Sequence, residues 1–459
     1  MEKSLFSLIR KYGISGPRYT SYPPAPVFSK DFGAVEYKDA IVQAEKNPEN
    51  VDLSLYVHIP FCDTLCYFCG CTTIITHNRT QIDLYLQYLK KEIDLLAPML
   101  NQQRKLVQMH WGGGTPTYLS PRQIDELSKY MRRFFHVDQH AELSVEVDPR
   151  ELTYDHLCAL RQNRFNRISI GVQDFNLKVQ HAVNREQNEL ITRQAIDWSR
   201  TLGFTSINID LIYGLPLQTV QSFSETLDKI IDISPARIAV YNFAYVPWMK
   251  KHQKLIRIED IPSPETKVKI LMTTIEKLTD AGYMYIGMDH FAKPDDELAI
   301  ARRTDSLHRN FQGYSTKANA DLYGLGMSAI SHFGTTYAQN AKTLSEYYEA
   351  IAGGTFATHV GYRMTSDDEV RKFVIMRLMC NLSLNKIEVE GRFGINFEEF
   401  FADSVANLES LSEDGLVIST PTHVIVTSLG RLFLRNIAMC FDKYLSSGAR
   451  RQHLYSQTV

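Results

Sequence analysis

The 459-residue chain is 44% hydrophobic and 22% charged, with a formal net charge of −2. That composition excludes a fibrous or disordered chain and suits two or three globular domains; the charge supplies no global field for nucleic acid or an anionic membrane. The opening MEKSLFSLIRKYGISGPRYTSYPP lacks the apolar run of a signal peptide, and no stretch reaches the roughly 18–20 apolar residues of a membrane span, so a soluble, cytosolic protein is expected.

Residues 1–35 are rich in Gly, Pro, Ser and Tyr and read as an irregular segment. A strand–helix rhythm then begins. LSLYVHI (53–59) reads as a buried strand, and residues 80–97 as a helix with Ile82, Leu86, Leu89, Ile93 and Leu96 on one face. Strands follow at 106–111, 142–147, 167–172, 206–212 and 237–243, with helices around 120–135, 152–163, 188–203 and 219–232. Six strands alternating with helices imply parallel pairing through right-handed crossovers. Polar and glycine residues recur at the C-terminal ends of successive strands, where barrel enzymes place their sites. A doubly wound sheet concentrates them at one switch point instead. The expected fold class is therefore α/β, an incomplete parallel (β/α)6 barrel of the TIM type over 36–355. Residues 260–355 extend it. From 360 to 459 the pattern changes to two helices, a strand–turn–strand wing at 414–427 and a helix over 428–445, a smaller, mostly helical C-terminal domain.

Of seven cysteines, four fall in YVHIPFCDTLCYFCGCTT (56–73), in the loop after the first strand. Clustering in a cytosolic chain points to metal or redox chemistry, not disulfides. Cys158, Cys380 and Cys440 read as small hydrophobes. Structural zinc needs a second ligand pair a dozen or more residues away, and none follows. An iron–sulfur cluster tolerates the C-x3-C-x2-C spacing because each thiolate takes a different corner. Cys62, Cys66 and Cys69 then hold three irons, and the fourth is open to a ligand. Cys71 is a fourth ligand, a catalytic thiol or a bystander, with a place near cofactor or substrate favoured.

HWGGGTPT (110–117) follows the second strand, and Gly112, Gly113 and Gly114 let backbone groups approach a ligand closely. Glu146, Gln173 and Asp210 end the third, fourth and fifth strands, and Arg185 follows the fourth. Polar groups at a barrel mouth are costly to leave unpaired, so their convergence suggests a ligand.

The cysteine spacing, with Phe68 just before the third cysteine, resembles the radical S-adenosylmethionine superfamily. From GPRYTSYPP (16–24) through MHWGGGTPTYL, EVDPRELT, GVQDFN, NIDLIYGLPLQT and HRNFQGYST to the C-terminal domain, the chain resembles the oxygen-independent coproporphyrinogen III oxidase family nearly end to end. The resemblance implies a [4Fe–4S] cluster and two molecules of S-adenosylmethionine. A first cofactor site would comprise Tyr56, Gly113, Glu146 and Ile330. A second would comprise Phe68, Gly114, Thr115, Gln173, Arg185, Asp210 and Ala244. Tyr56, His58 and Cys71 are the catalytic candidates. The implied reaction turns two propionates of a tetrapyrrole into vinyl groups in heme biosynthesis, using an external electron donor and acceptor. A tetra-anionic substrate needs cationic anchors, for which Arg18 and Arg309 are candidates, with Tyr19 and Tyr22 as pocket aromatics. Residues 1–35 would cover the barrel mouth. A heme chaperone on the same fold is the alternative reading, but such relatives generally lack the fourth cysteine and the GPRYTSYP segment. The acidic balance argues against a nucleic-acid binder despite the wing, and a monomer is expected.

Overall fold

The computed structural model describes residues 2–46, 51–317, 320–445 and 454–458. Six strands, β1 (Leu53–Ile59), β2 (Lys105–Gly113), β3 (His136–Val147), β4 (Arg167–Gln173), β5 (Ser206–Tyr213) and β6 (Arg237–Asn242), pair in parallel in chain order. β7 (Met284–Gly287) and β8 (His290–Ala292) follow. Then come β9 (Asp321–Leu325), β10 (Ile330–Phe333), β11 (Thr336–Asn340) and β12 (Thr358–Arg363). The complete sheet runs β12-β11-β10-β9-β1-β2-β3-β4-β5-β6-β8-β7 and does not close. The expected incomplete barrel is thus present. It gains a seventh parallel strand, because β9 returns to pair with β1, and antiparallel strands extend both edges.

The strands alternate although they are parallel. In β4, Ile168, Ile170 and Val172 are buried among the covering helices, while Arg167, Ser169, Gly171 and Gln173 take the other face. β1, β2, β3 and β5 likewise set Tyr56, His110, Glu146 and Asp210 opposite a Leu, Val, Ile, Met and Trp face. One face packs against helices and the other lines an interior, so period-two alternation survives where a doubly covered sheet would lose it. The crossover helices begin at side-chain caps, Asn78, Ser120, Thr153, Asn188 and Thr219, each accepting a backbone N–H of the first turn.

Several expectations change. Glu2–Tyr12 is a helix, not irregular chain: Leu5, Leu8 and Ile9 recur on one face and are buried in a second core shared with the C-terminal domain. Tyr19 and Tyr22 belong to that core, 1% and 0% exposed, and are not pocket aromatics. Tyr19 donates to Asp442, and Tyr22 accepts the Lys443 N–H. The change of rhythm near 360 falls inside edge strand β12, so the C-terminal unit starts at the Thr365 cap of helix Ser366–Asn381. The wing, Val417–Ser419 with His423–Val426, gains a third strand, Ser383–Asn385. The expected helix over 428–445 contracts to a short 3-10 turn, Gly430–Phe433, and helix Leu434–Met439. Among the described residues no helix is long and apolar enough to cross a membrane.

Candidate active site

A cavity of about 710 Å³ opens at the C-terminal ends of β1–β6. Its wall includes Cys62, Cys66, Cys69 and Cys71. The cysteine loop is closed at its base, where Phe61–Cys62 pairs in parallel with Ile74–Ile75. Other loops hold its backbone. Asn184 Nδ2 donates to Leu65 O at 2.8 Å, and Gln253 Nε2 to Phe68 O at 3.2 Å. His252 Nε2 meets Cys69 O at 2.8 Å, and Lys250 Nζ meets Cys71 O at 2.7 Å. Sequence reading missed these four, because their partners are backbone carbonyls distant in sequence and no motif records them.

The thiols differ in surroundings. Cys62 Sγ lies 3.4 Å from Thr115 Oγ1, and burial pushes it up to about 12. Cys69 is pulled down to about 6, chiefly by the hydrogen bond from Cys71, whose own thiol is raised by holding that proton. Cys66 faces two guanidinium groups, Arg150 Nη2 and Arg185 Nη1, each at 3.6 Å. Asp148 Oδ2 binds both, Arg150 Nη2 at 2.6 Å and Arg185 Nη1 at 2.9 Å. Burial raises Asp148, but Arg185 and Arg150 outweigh it and leave the carboxyl at about 2.

The glycine run forms a cradle. A Cβ on Gly112 would sit 3.0 Å from the Glu146 carboxylate, and one on Gly114 2.6 Å from Pro60 O. Gly113 has φ +115°, and a Cβ there would strike the His58 ring at 2.6 Å. His58 Nε2 donates to Thr72 O at 2.9 Å, which leaves Nδ1 to accept the Tyr56 hydroxyl at 3.0 Å. Burial lowers the His58 pKa, so the imidazole is neutral. The chain Tyr56–His58–Thr72 ties β1 to the far end of the cysteine loop.

Glu146 accepts Gly113 N–H and His110 Nε2–H, both at 3.2 Å. Burial pushes it up, but the His110 bond and the Gly113 N–H hold it below its ordinary value. Asp210 is raised to about 6, mainly by burial, despite bonds from Ser169 at 2.6 Å and Asn208 at 2.9 Å.

Phe68, Gly113, Gly114, Thr115, Glu146, Gln173, Arg185, Asp210 and Ala244 all line this one cavity. Arg18 reaches its wall and pairs with Asp289. Tyr56, His58 and Gly112 stand behind the wall on β1 and β2, and Ile330 on β10 packs beside Phe28 and Tyr337. Arg309 is not brought to the wall. It is 3% exposed, its guanidinium lies 4.8 Å from the Tyr314 ring centroid, and its Nε and Nη1 lack hydrogen-bond partners among the described residues. Arg150 and Asp148, which the sequence reading did not select, are in the wall.

The donor set fits an iron–sulfur cluster with a bound cofactor. Three thiols share a wall with a glycine cradle that any Cβ would fill. Among the described residues no three His, Cys, Asp or Glu side chains converge on a single metal ion, and a cube taking each thiolate at a different corner does not require that. The Radical SAM superfamily profile matches residues 56–230, and the HemN C-terminal domain profile matches 364–433. Fold and site together thus define a radical S-adenosylmethionine protein.

Two curated relatives are both named oxygen-independent coproporphyrinogen III oxidase. The one from Escherichia coli (strain K12) is 49% identical over 97% of this chain and 96% of its own, and the one from Synechocystis sp. is 46% identical over 98% and 97%. The solved structure of coproporphyrinogen III oxidase (HemN) from Escherichia coli, described as a radical SAM enzyme, superposes with a TM-score of 0.91 at 48% identity, covering 96% of this chain and 99% of that one. The chain belongs to the oxygen-independent coproporphyrinogen III oxidase family.

Proposed function

We propose that this protein converts two propionate side chains of coproporphyrinogen III into vinyl groups without oxygen, giving protoporphyrinogen IX in heme biosynthesis. The observation that carries this reading is the convergence of the C-x3-C-x2-C thiols, the glycine cradle, Glu146 and Asp210 on one cavity, in a chain that matches its relatives along nearly its whole length. When bound, the [4Fe–4S] cluster and S-adenosylmethionine supply a 5′-deoxyadenosyl radical able to abstract a propionate β-hydrogen. Loss of CO2 and one electron from that side chain then leaves the vinyl group. Two side chains require two such cycles, and hence two cofactor molecules.

Each protein group has a part in this reading. Cys62, Cys66 and Cys69 hold three irons. The backbone of Gly112–Gly114, with Glu146, seats the first cofactor beside Tyr56 and Ile330. Phe68, Thr115, Gln173, Arg185, Asp210 and Ala244 seat the second. His58 orients Tyr56, and Cys71, hydrogen-bonded to Cys69, stands in the wall beside the cofactor positions. Arg18, in the cavity wall, is the cation proposed to meet a substrate carboxylate, and Arg309, which is held away from that wall, is not. The electron donor and acceptor are separate cytosolic partners, and the enzyme acts there as a monomer.

The test is anaerobic turnover of the reconstituted enzyme with reductant, S-adenosylmethionine, coproporphyrinogen III and a cell extract as acceptor source. Protoporphyrinogen with two 5′-deoxyadenosines per product is the expected result. Cofactor cleavage with the tetrapyrrole unchanged would overturn the substrate, and tight heme binding with neither would favour the chaperone.

A pH dependence follows from Asp210. Its carboxyl, raised to about 6, is protonated below that value and ionised above it. A ligand donating hydrogen bonds to it prefers the carboxylate. Affinity at the second cofactor position should therefore fall as pH drops through about 6. Equilibrium binding across pH 5–8 is expected to show this in the parent and a flat profile in Asp210→Asn.

A further inference from the structure

Arg150 has no part in the reading above. It stands in the cavity wall two residues beyond Asp148, just after β3. Its Nη2 and Arg185 Nη1 approach one sulfur, Cys66 Sγ, at 3.6 Å each, and both nitrogens bind the same oxygen of Asp148. One thiol therefore faces two permanent cations joined by one carboxylate. The three side chains are only 18%, 8% and 10% exposed for Arg150, Arg185 and Asp148, so water screens them little. Arg185 Nε is buried without a partner among the described residues, so the group is not satisfied by its internal bonds alone. Among the described residues neither of the other two thiols has a guanidinium hydrogen bond: Cys62 meets a threonine hydroxyl and Cys69 meets Cys71. Lys250 and His252 also act on Cys69 but spend their hydrogen bonds on the Cys71 and Cys69 carbonyls.

Burying two guanidinium groups against one carboxylate leaves a net positive charge in a partly dry wall, which costs desolvation energy unless another anion shares it. A thiolate at Cys66, carrying the negative charge of a bound cluster, is such an anion. We propose that Arg150 and Arg185 donate N–H···S hydrogen bonds to the Cys66 thiolate and hold the cluster's reduction potential up, with Asp148 as the positioning residue that orients both and partly offsets their charge. The inference rests on Cys62, Cys66 and Cys69 being the cluster ligands. Its physical basis is that hydrogen bonds and positive charge at a ligating sulfur stabilise the added electron of the reduced state. The cluster would then accept an electron more readily from a modest donor.

The test is a redox titration of full-length, reconstituted, cofactor-free enzyme, followed by electron paramagnetic resonance, with iron and sulfide assayed in each variant. Arg150→Met should lower the potential at unchanged cluster content, making the reduced-to-oxidised ratio at a fixed poise about tenfold smaller, or on the order of 59 mV for a one-electron couple. Asp148→Asn should move it the opposite way, because a negative charge leaves while both donors stay. Arg150→Lys should fall between parent and Arg150→Met, keeping charge but not the fork. An unmoved potential in Arg150→Met with a raised KM for the tetrapyrrole would assign Arg150 to the substrate and overturn the proposal. Reduced cluster content with unmoved potentials in all three variants would do so too, since that is a structural role. If Arg150→Met assembles no cluster, the other two variants decide, and a potential unmoved in both overturns the idea. Retention of cluster by Cys62→Ser is a separate failure, that of the ligand assignment itself.

Discussion

Cys62→Ser is expected to abolish both the cluster and product formation. Iron in such a cluster is held by soft thiolates, and a serine hydroxyl is a hard donor that stays protonated at neutral pH. Cys62 has no substitute nearby. Cys71 is engaged with Cys69, and Thr115 presents only a hydroxyl. Iron, acid-labile sulfide and the brown absorption should therefore fall together, with turnover at background. Cys158→Ser is the control: that half-buried thiol on helix Tyr154–Gln162 lies outside the cavity wall. It should keep both colour and activity. A brown Cys62→Ser protein with normal turnover would sink the ligand assignment.

Gly113→Ala should be nearly as damaging, for a reason of backbone geometry. At φ +115° an L residue is strained, which costs on the order of 1–3 kcal/mol at a functional turn. The new methyl would also meet the His58 ring at 2.6 Å. To make room, the imidazole must give up its bonds to Tyr56 and Thr72, loosening both the first strand and the end of the cysteine loop. The Gly113 N–H bond to Glu146 shifts with it. S-adenosylmethionine binding should weaken at least about tenfold, roughly 1.4 kcal/mol, and the melting temperature should fall. Calorimetry on the reconstituted variant checks both, and unchanged affinity would remove the glycine run from the cofactor site.

Much of the architecture was legible because it is written in local periodicity. β1 spans Leu53–Ile59, and helix Arg79–Leu96 lies within one residue of its predicted ends. Those segments carry unbroken two- or three-to-four-residue patterns, bounded by capping residues such as Asn78. The later part of the chain was less legible. Strands β7 to β11 are three to five residues long, and β9 joins β1 across some 260 residues of intervening chain. A segment that short has no period to detect, and its partner is chosen by tertiary packing. The N-terminal helix Glu2–Tyr12 was hidden by the Gly-, Pro- and Tyr-rich stretch that follows it.

What the sequence determined by itself was the chemistry: three thiols at close spacing, a glycine run after the second strand, and polar residues ending successive strands. These are contiguous or periodic features, and a short spacing limits which metal centre the ligands can share. Only the tertiary structure decided which side chains meet. It drew Tyr19 and Tyr22 into the C-terminal core, kept Arg309 from the cavity wall, and set Arg150, Arg185 and Asp148 around Cys66. Such contacts join loops 84 and 119 residues apart in sequence. They depend on the twist and register of the sheet, which place the loop ends of neighbouring strands side by side and leave no trace in either loop's own sequence.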